Sequence, residues 1–281
     1  MNNKIKFVFF LFGIFFLFGM VFLFYPIDVI DVDRGVSYKN NEIISQSEKY
    51  FNAISSSSNL HRPFPDIVNR KDNIDSPDKI ELGRMLFFDP ILSGDNTMSC
   101  AHCHHPDLGF SDNRGLSMGR SGKGIGGERT GGHILKRGSP TLWNAGFNHA
   151  QYWDGRARDL EHQATFPITD SNEMNQDRIE LEKELNNIEG YKRLFEKVYP
   201  ENDPVNFKNI VFAIASFERS LVSKNSRFDK YARGDFEALS GGERHGLNIF
   251  RSLKTRCFEC HNIPTFNNPD YKVIGVPDLD P

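Results

Sequence analysis

Two five-residue runs, Cys100-Ala101-His102-Cys103-His104 and Cys257-Phe258-Glu259-Cys260-His261, use all four cysteines of the chain. In each run two thiols stand one turn apart and a histidine follows directly. This spacing is the signature of c-type haem attachment. Each thiol can form a thioether to a haem vinyl group, and the histidine offers the iron an imidazole nitrogen. Structural zinc also uses C-x-x-C pairs, but its half-sites usually lie within roughly 15–20 residues of each other. Here more than a hundred residues separate them, and each pair has its own trailing histidine. A thioredoxin-like dithiol needs one pair in a βαβ setting, which neither run has. Disulfides between such near neighbours would leave both histidines unexplained. The pattern therefore predicts two covalently bound haem c groups, one held by Cys100, Cys103 and His104 and the other by Cys257, Cys260 and His261.

The elements that position these runs read as helices. Ser76-Pro77-Asp78 has the form of an N-cap, an N1 proline and an acidic first turn. Ile80, Leu82, Met85 and Leu86 follow, giving a short helix ahead of the first motif. Phe207, Ile210, Val211, Ile214, Phe217 and Leu221 recur at helical spacing and predict one apolar stripe. Ser240-Gly241-Gly242-Glu243 has the capping-box form and opens a helix through Leu247 and Phe250 towards the second motif. No sustained period-2 alternation appears, so the fold class is mainly α with long loops. Between Arg114 and Gly138 lies a glycine-dense loop that also holds Arg120, Lys123, Arg129, Lys136 and Arg137. Its Gly122-Lys123-Gly124-Ile125-Gly126-Gly127 matches G-x-G-x-x-G only formally, because a dinucleotide site needs a strand before it and a helix after it. A mobile loop near a haem edge is the expectation, since glycine reaches backbone conformations closed to other residues.

The N-terminus speaks to compartment. Val8 to Tyr25 form an uncharged, Phe- and Leu-rich run of about 18 residues, long enough to span a bilayer core. Lys4 and Lys6 precede it while Asp28, Asp31 and Asp33 follow, which directs the rest of the chain outward. A cleavable signal peptide is the alternative, but it calls for a shorter apolar core and a small-residue cleavage site. The run continues into Tyr25-Pro26-Ile27-Asp28, so an uncleaved transmembrane anchor on the periplasmic face of a bacterial inner membrane is expected. Residues 36–65 form a polar tether ending near Ser55-Ser56-Ser57-Ser58. A net charge of −3 on 281 residues gives no electrostatic case for nucleic-acid binding.

The stretches around the motifs resemble the bacterial di-haem cytochrome c peroxidase family, which includes the MauG-type enzymes. The resemblance runs from about residue 66 to 281. It rests on Glu81-Leu82-Gly83-Arg84-Met85-Leu86-Phe87-Phe88-Asp89-Pro90, Ser139-Pro140-Thr141-Leu142-Trp143-Asn144 and Tyr152-Trp153-Asp154-Gly155-Arg156-Ala157. Leu160-Glu161-His162-Gln163-Ala164, Pro167-Ile168, Asn172-Glu173-Met174, Ala215-Ser216-Phe217-Glu218-Arg219-Ser220-Leu221 and Phe228-Asp229-Lys230-Tyr231 extend it. It implies two cytochrome c-like helical haem domains, drawn here as 66–225 and an incomplete 226–281, behind the anchor at 1–35 and the tether at 36–65.

The same resemblance implies roles for single residues. Cys100, Cys103 and His104 would hold the peroxidatic haem, and Cys257, Cys260 and His261 the haem through which electrons enter. Trp153 matches the tryptophan lying between the two; the alternative is a packed core aromatic. Glu173 matches a distal carboxylate, with Gln163 and Pro167 beside it. Splitting an O–O bond needs a proton moved from one oxygen to the other, and a carboxylate in hydrogen-bond reach can take and return it. Gln163 would orient peroxide without titrating. His133 in the glycine-rich loop is the candidate sixth ligand of a closed resting state. His61, His102, His105, His149, His162 and His245 are read as surface or structural.

Two departures from the family pattern stand out. Gly138 replaces an asparagine that contributes to an interdomain calcium site, which puts calcium in doubt. The chain also ends about twenty residues after His261, short of the family's distal ligand for the second haem, and Tyr271 lies too near His261 to serve; a truncated reading frame is expected. The first functional expectation is a peroxidase that reduces hydrogen peroxide with electrons from a small periplasmic cytochrome c or cupredoxin. The second is a MauG-type oxidase modifying a partner protein, and the third a non-enzymatic di-haem electron carrier. Homodimers are common in the family.

Overall fold

The computed structural model describes residues 64–200 and 202–275. The chain divides into two compact units, Met1–Ser58 and Asn59–Pro281, and every described residue belongs to the second. The predicted anchor and nearly all of the tether lie outside the described residues. Among the described residues no helix is long and apolar enough to cross a membrane.

Seven α-helices run through the described residues: α1 (Pro77–Phe88), α2 (Leu160–Thr169), α3 (Arg178–Asn187), α4 (Glu189–Val198), α5 (Phe207–Ser220), α6 (Arg227–Ala232) and α7 (Gly241–Phe250). They are joined by long loops with short 3-10 turns, and only isolated β-bridges occur among the described residues. The predicted caps form. The Ser76 hydroxyl accepts from the Lys79 backbone N–H at the start of α1. At α7, Ser240 and Glu243 cap each other reciprocally, the Ser240 N–H donating to Glu243 Oε2 at 2.9 Å. Such a box satisfies two amide groups that the first helical turn would otherwise leave open.

The centre of the fold is α5, and here the structure departs from the sequence pattern. The apolar spacing predicts one buried stripe, yet residues all round the helix are buried, including Asn209, Ser216, Glu218 and Arg219. The reason is that α5 is enclosed. Helix α1 packs along one side, α2 along another, and the turn Ala145–Phe147 covers a third. Gly83 lets α1 come close, because a Cβ there would run into the Ala213 carbonyl oxygen. Phe87, Phe110 and Phe217 then meet in tilted and edge-on pairs with centroids 5.1–6.4 Å apart, an arrangement that suits the positive edge and negative face of each ring.

Enclosure obliges the buried guanidinium of Arg219 to find partners inside the protein. Arg219 donates to Asp75 Oδ2 at 3.0 Å and to Glu161 Oε1, on α2, at 2.6 Å. Glu161 Oε1 also accepts from Asn73 Nδ2 at 2.7 Å, and the same amide donates to the Phe212 carbonyl at 3.0 Å. Asn73 Oδ1 in turn accepts from Lys79 Nζ at 3.0 Å. These contacts tie the segment before α1 to α2 and α5.

The glycine-dense loop is anchored rather than loose. Arg129, only 3 % exposed, donates to the carbonyls of Met118, Gly119 and Gly124 at 2.8–3.0 Å. Paired bridges at Met118–Ile134 and Lys123–Thr130 close the loop on itself. No strand precedes Gly122-Lys123-Gly124-Ile125-Gly126-Gly127 and only a 3-10 turn, Gly126–Glu128, follows it, so the formal dinucleotide motif has none of its required context. Replacing Arg219 by Ala should leave Glu161 and Asp75 as uncompensated buried charges. The expected loss is about 3–5 kcal/mol, read from denaturant unfolding of the haem-loaded protein.

Candidate functional site

In both C-x-x-C-H runs the backbone makes the same turn. Cys100–His102 and Cys257–Glu259 are 3-10 turns. The Cys100 carbonyl accepts from the Cys103 and His104 amides at 3.2 and 2.9 Å, and the Cys257 carbonyl accepts from Cys260 and His261 at 3.2 and 3.0 Å. All four cysteines are free thiols, and the turn brings each pair to one side of its histidine.

The histidines are held alike as well. His104 Nδ1 lies 2.9 Å from the Phe110 carbonyl, and His261 Nδ1 lies 3.2 Å from the Phe266 carbonyl. Donating Nδ1–H to a carbonyl fixes the tautomer and leaves Nε2 as the free, basic nitrogen, which is how metal-bound histidines are commonly oriented. Both phenylalanines sit in the left-handed region at φ +55°. That conformation costs a non-glycine residue about 1–2 kcal/mol, and here it turns each carbonyl back towards its histidine. An antiparallel bridge, His105–Ser111 in one loop and Asn262–Asn267 in the other, closes each return. Burial holds the His104 imidazole below its ordinary pKa, against the opposing Phe110 hydrogen bond, so the ring is neutral and able to act as a ligand.

One cavity of about 1530 Å3 brings the predicted residues together. Cys100, Cys103 and His104 line it, as do Cys260 and His261, and so do His133, Trp153, Gln163, Pro167 and Glu173. Of the predicted residues only Cys257 is missing from the lining. The volume exceeds the roughly 300–1,000 Å3 that houses a drug-sized ligand. Paired free thiols, tautomer-fixed histidines and the shared cavity fit two haem c groups. Structural zinc takes four protein ligands. No group of three or more metal-ligating side chains occurs among the described residues. At the position of the family's calcium-site asparagine, a Cβ on Gly138 would run into the Arg114 carbonyl oxygen, so this backbone has no room for the asparagine side chain.

Glu173 sits on the turn after α2, its backbone N–H donating to the Asp170 carbonyl. Burial, reinforced by Asp170 and opposed by Arg156, pushes its carboxyl up to about 7. It is therefore poised to gain and lose a proton near neutrality, where a general acid–base group works best. Gln163 and Pro167 reach the same cavity from α2. Trp153 is 63 % exposed, which rules out a packed core aromatic. Its Nε1–H donates to the Gly138 carbonyl at 2.9 Å. Beside it, Arg156 pairs with Asp154 at 2.8 Å and stacks on the Tyr152 ring at 3.4 Å. His133 is fixed by its own backbone, which exchanges hydrogen bonds with Gly119 and Arg120. Tyr271 lines the cavity too, and its hydroxyl lies 3.3 Å from His149 Nε2.

Of the histidines read as surface or structural, His61 lies outside the described residues, while His102 Nδ1 accepts from the Ser99 amide at 3.0 Å and His162 Nδ1 from the Arg158 amide at 3.3 Å. Two cavity residues lie inside the family-like runs, yet nothing in those runs gives them a role. The Tyr152 hydroxyl is buried without a hydrogen bond of good geometry among the described residues, and burial raises its pKa. Glu218, 5 % exposed, forms part of the cavity wall. Its neighbour Arg219 reads as the obvious charged residue of that helix, and only the enclosure of α5 reveals that Glu218 is equally buried.

A helical scaffold that presents two haem-attachment turns to one cavity defines a c-type cytochrome with two haem sites. A sequence model described as di-haem cytochrome c peroxidase matches residues 77–237, and the chain belongs to that family of haem oxidoreductases. It is 38 % identical over 205 residues to a cytochrome c551 peroxidase of Nitrosomonas europaea, covering 72 % of this chain and 57 % of that protein. It is 36 % identical over 219 residues to the methylamine utilization protein MauG of Methylophilus methylotrophus, covering 75 % and 62 %. Among solved structures, a MauG-like protein associated with microbial copper homeostasis superposes with a TM-score of 0.64 at 28 % identity, over 77 % of this chain and 62 % of that one. The chain thus spans 57–62 % of the length of these relatives. Family membership implies covalently bound haem c. Expression with c-type maturation machinery should yield two covalent haems per chain by pyridine haemochrome assay, and a Cys257→Ser, Cys260→Ser variant should retain one.

Proposed function

We propose that this protein is a peroxidase that reduces hydrogen peroxide to water with electrons from a small periplasmic cytochrome c or cupredoxin. The observation that carries this reading is Glu173, a carboxyl held near neutrality in the cavity that both haem-attachment turns share. When bound, haem supplies the electron transfer that cleavage of the O–O bond requires. The protein's part is proton handling and orientation. Peroxide reduction consumes two electrons and two protons and yields two waters. Glu173 in its ionised form takes a proton from one peroxide oxygen, and in its protonated form gives it to the other, which then leaves as water. The Gln163 amide donates and accepts without titrating and so holds peroxide in register with Glu173. Apolar Pro167 and Ile168 beside them limit the water that would compete for the carboxyl. Trp153, which lines the same cavity as both attachment turns, serves as the relay for electrons entering at the Cys257–His261 site. His133 is the proposed closing ligand of a resting state.

The similarity to MauG supports a second reading, oxidation of a partner protein by the same set of residues. Reduced donor protein decides between them: a peroxidase consumes donor in proportion to peroxide, whereas a partner-modifying oxidase leaves a donor without matching side chains unconsumed. Residues 8–25 are proposed as the anchor that keeps the haem region on the periplasmic face. Homodimer formation is proposed on family grounds alone and is read from the solution mass.

Glu173→Gln should lower kcat/KM for peroxide by about 10²–10⁴-fold, the usual contribution of a positioned acid–base group. Because the accepting form is the ionised one, wild-type kcat/KM should rise with pH through about 7 and then level. The variant should lose that limb, and an unchanged limb would remove Glu173 from the mechanism. Alkaline carbonate washing of membranes should leave the full-length chain in the pellet.

A further inference from the structure

Helix α5 brings a second carboxyl to the cavity, and the proposed peroxide chemistry makes no use of it. Glu218 lies in the cavity wall together with Ile214 of the same helix and Cys100 of the first attachment turn. It is 5 % exposed, and its Oε2 is buried without a hydrogen-bond partner among the described residues. The adjacent Arg219 is committed elsewhere, to Asp75 and Glu161. Arg70 is likewise held by Asp72 and Asp159, and Lys79 by Asn73 and the Ile74 carbonyl. The groups that act on Glu218 are thus Glu161 from α2, Arg219 beside it and Cys100 across the wall. A buried carboxylate without a committed cation is costly to keep charged.

We propose that Glu218 is a redox-linked proton site of the haem attached at Cys100 and Cys103: it takes up one proton from solvent when that haem gains one electron, and releases it on oxidation. The electron comes from a one-electron donor, in the cell a small redox protein and in the test an electrode. In balanced form, oxidised haem with ionised Glu218, one electron and one proton become reduced haem with protonated Glu218. The driving force is electrostatic. Removing one positive charge from the porphyrin iron, in a wall of low dielectric, makes an ionised carboxyl nearby harder to maintain. The direction agrees with the resting balance of this site. Burial, then Glu161, push the Glu218 carboxyl up to about 8 against the pull of Arg219, so a change of one charge in its surroundings shifts its proton occupancy within the physiological range. The inference rests on haem attachment at the first motif and not on the peroxidase reading. Neither of its readouts uses peroxide, so a protein inactive towards peroxide still answers.

The test is a spectroelectrochemical titration of the haem-loaded full chain from pH 6 to 10. In the wild type one of the two reduction steps should become more negative with pH across a window that includes pH 8. Each tenfold fall in proton activity should shift it by up to about 59 mV, the one-electron equivalent of a factor of ten. Glu218→Gln should flatten that step in this window and leave the other step unchanged. A wild type with no pH dependence in either step, or a variant with the wild-type dependence, overturns the proposal. Should Glu218→Gln fail to fold, redox-difference infrared spectra of Glu173→Gln decide, because the other raised carboxyl is then silent. A protonated-carboxyl band gained on reduction at pH 8, shifted in D2O and unmoved when the haem propionates carry 13C supports the site, and its absence overturns it.

Discussion

The constraint on which the rest of this structure depends is the enclosure of helix α5. Along Phe207–Ser220 only Lys208 and Ser220 are exposed, so a buried charge such as Arg219 must be met from neighbouring segments. Arg219 requires Glu161 and Asp75, and those two fix the position of α2 and of the segment that leads into α1. With α2 in place, Gln163 and Pro167 reach the cavity, and the turn that carries Glu173 follows directly. The close approach of α1 at Gly83 completes the enclosure and sets the aromatic cluster around Phe87, Phe110 and Phe217. Phe110 then links the core to the chemistry, since its ring packs in the cluster while its carbonyl holds His104.

The two haem-attachment loops solve one problem twice. A metal-binding histidine must offer one nitrogen and hide the other, and both loops do so with the carbonyl of a left-handed phenylalanine five or six residues further on. The environments differ. The first loop is packed into the helical core through Cys103 and Phe110, whereas Cys260 and His261 are exposed. A histidine in drier surroundings has a weaker hold on protons and stands among charges that are less screened.

Three groups of the cavity have pKa values raised by the same cause, burial, and yet they differ in use. Glu173 sits near 7 because Arg156 offsets part of the effect, and it lies where a ligand of the cavity is reached. Glu218 sits near 8, deeper in the wall, with Glu161 adding to the effect. Tyr152 is raised out of the range in which it would ionise and remains a hydrogen-bond donor. The same burial thus acts on all three side chains, and the differences between them come from which charges stand beside each.

How much of this was legible in the chain follows from range. The attachment motifs, the caps at Ser76 and Ser240 and the helical spacing of α1 and α5 are local patterns, and they appear in the structure as read. The family resemblance pointed to Trp153, Gln163 and Glu173, which the fold brings to one cavity. Other features were not legible because they depend on residues far apart in sequence. The all-round burial of α5 comes from α1, α2 and the turn Ala145–Phe147 together, so the apolar stripe described only part of it. The glycine-dense loop reads as mobile because the three carbonyls that hold Arg129 are indistinguishable from any others in a sequence. Glu218 and Tyr152 read as ordinary polar residues until the cavity forms around them. Spacing along the backbone was enough to mark the two attachment motifs and where the helices begin, because both are local patterns. Only the tertiary structure decided which carboxyls hold a proton near neutral pH, because desolvation and neighbouring charge are set by segments that meet in space and not in sequence.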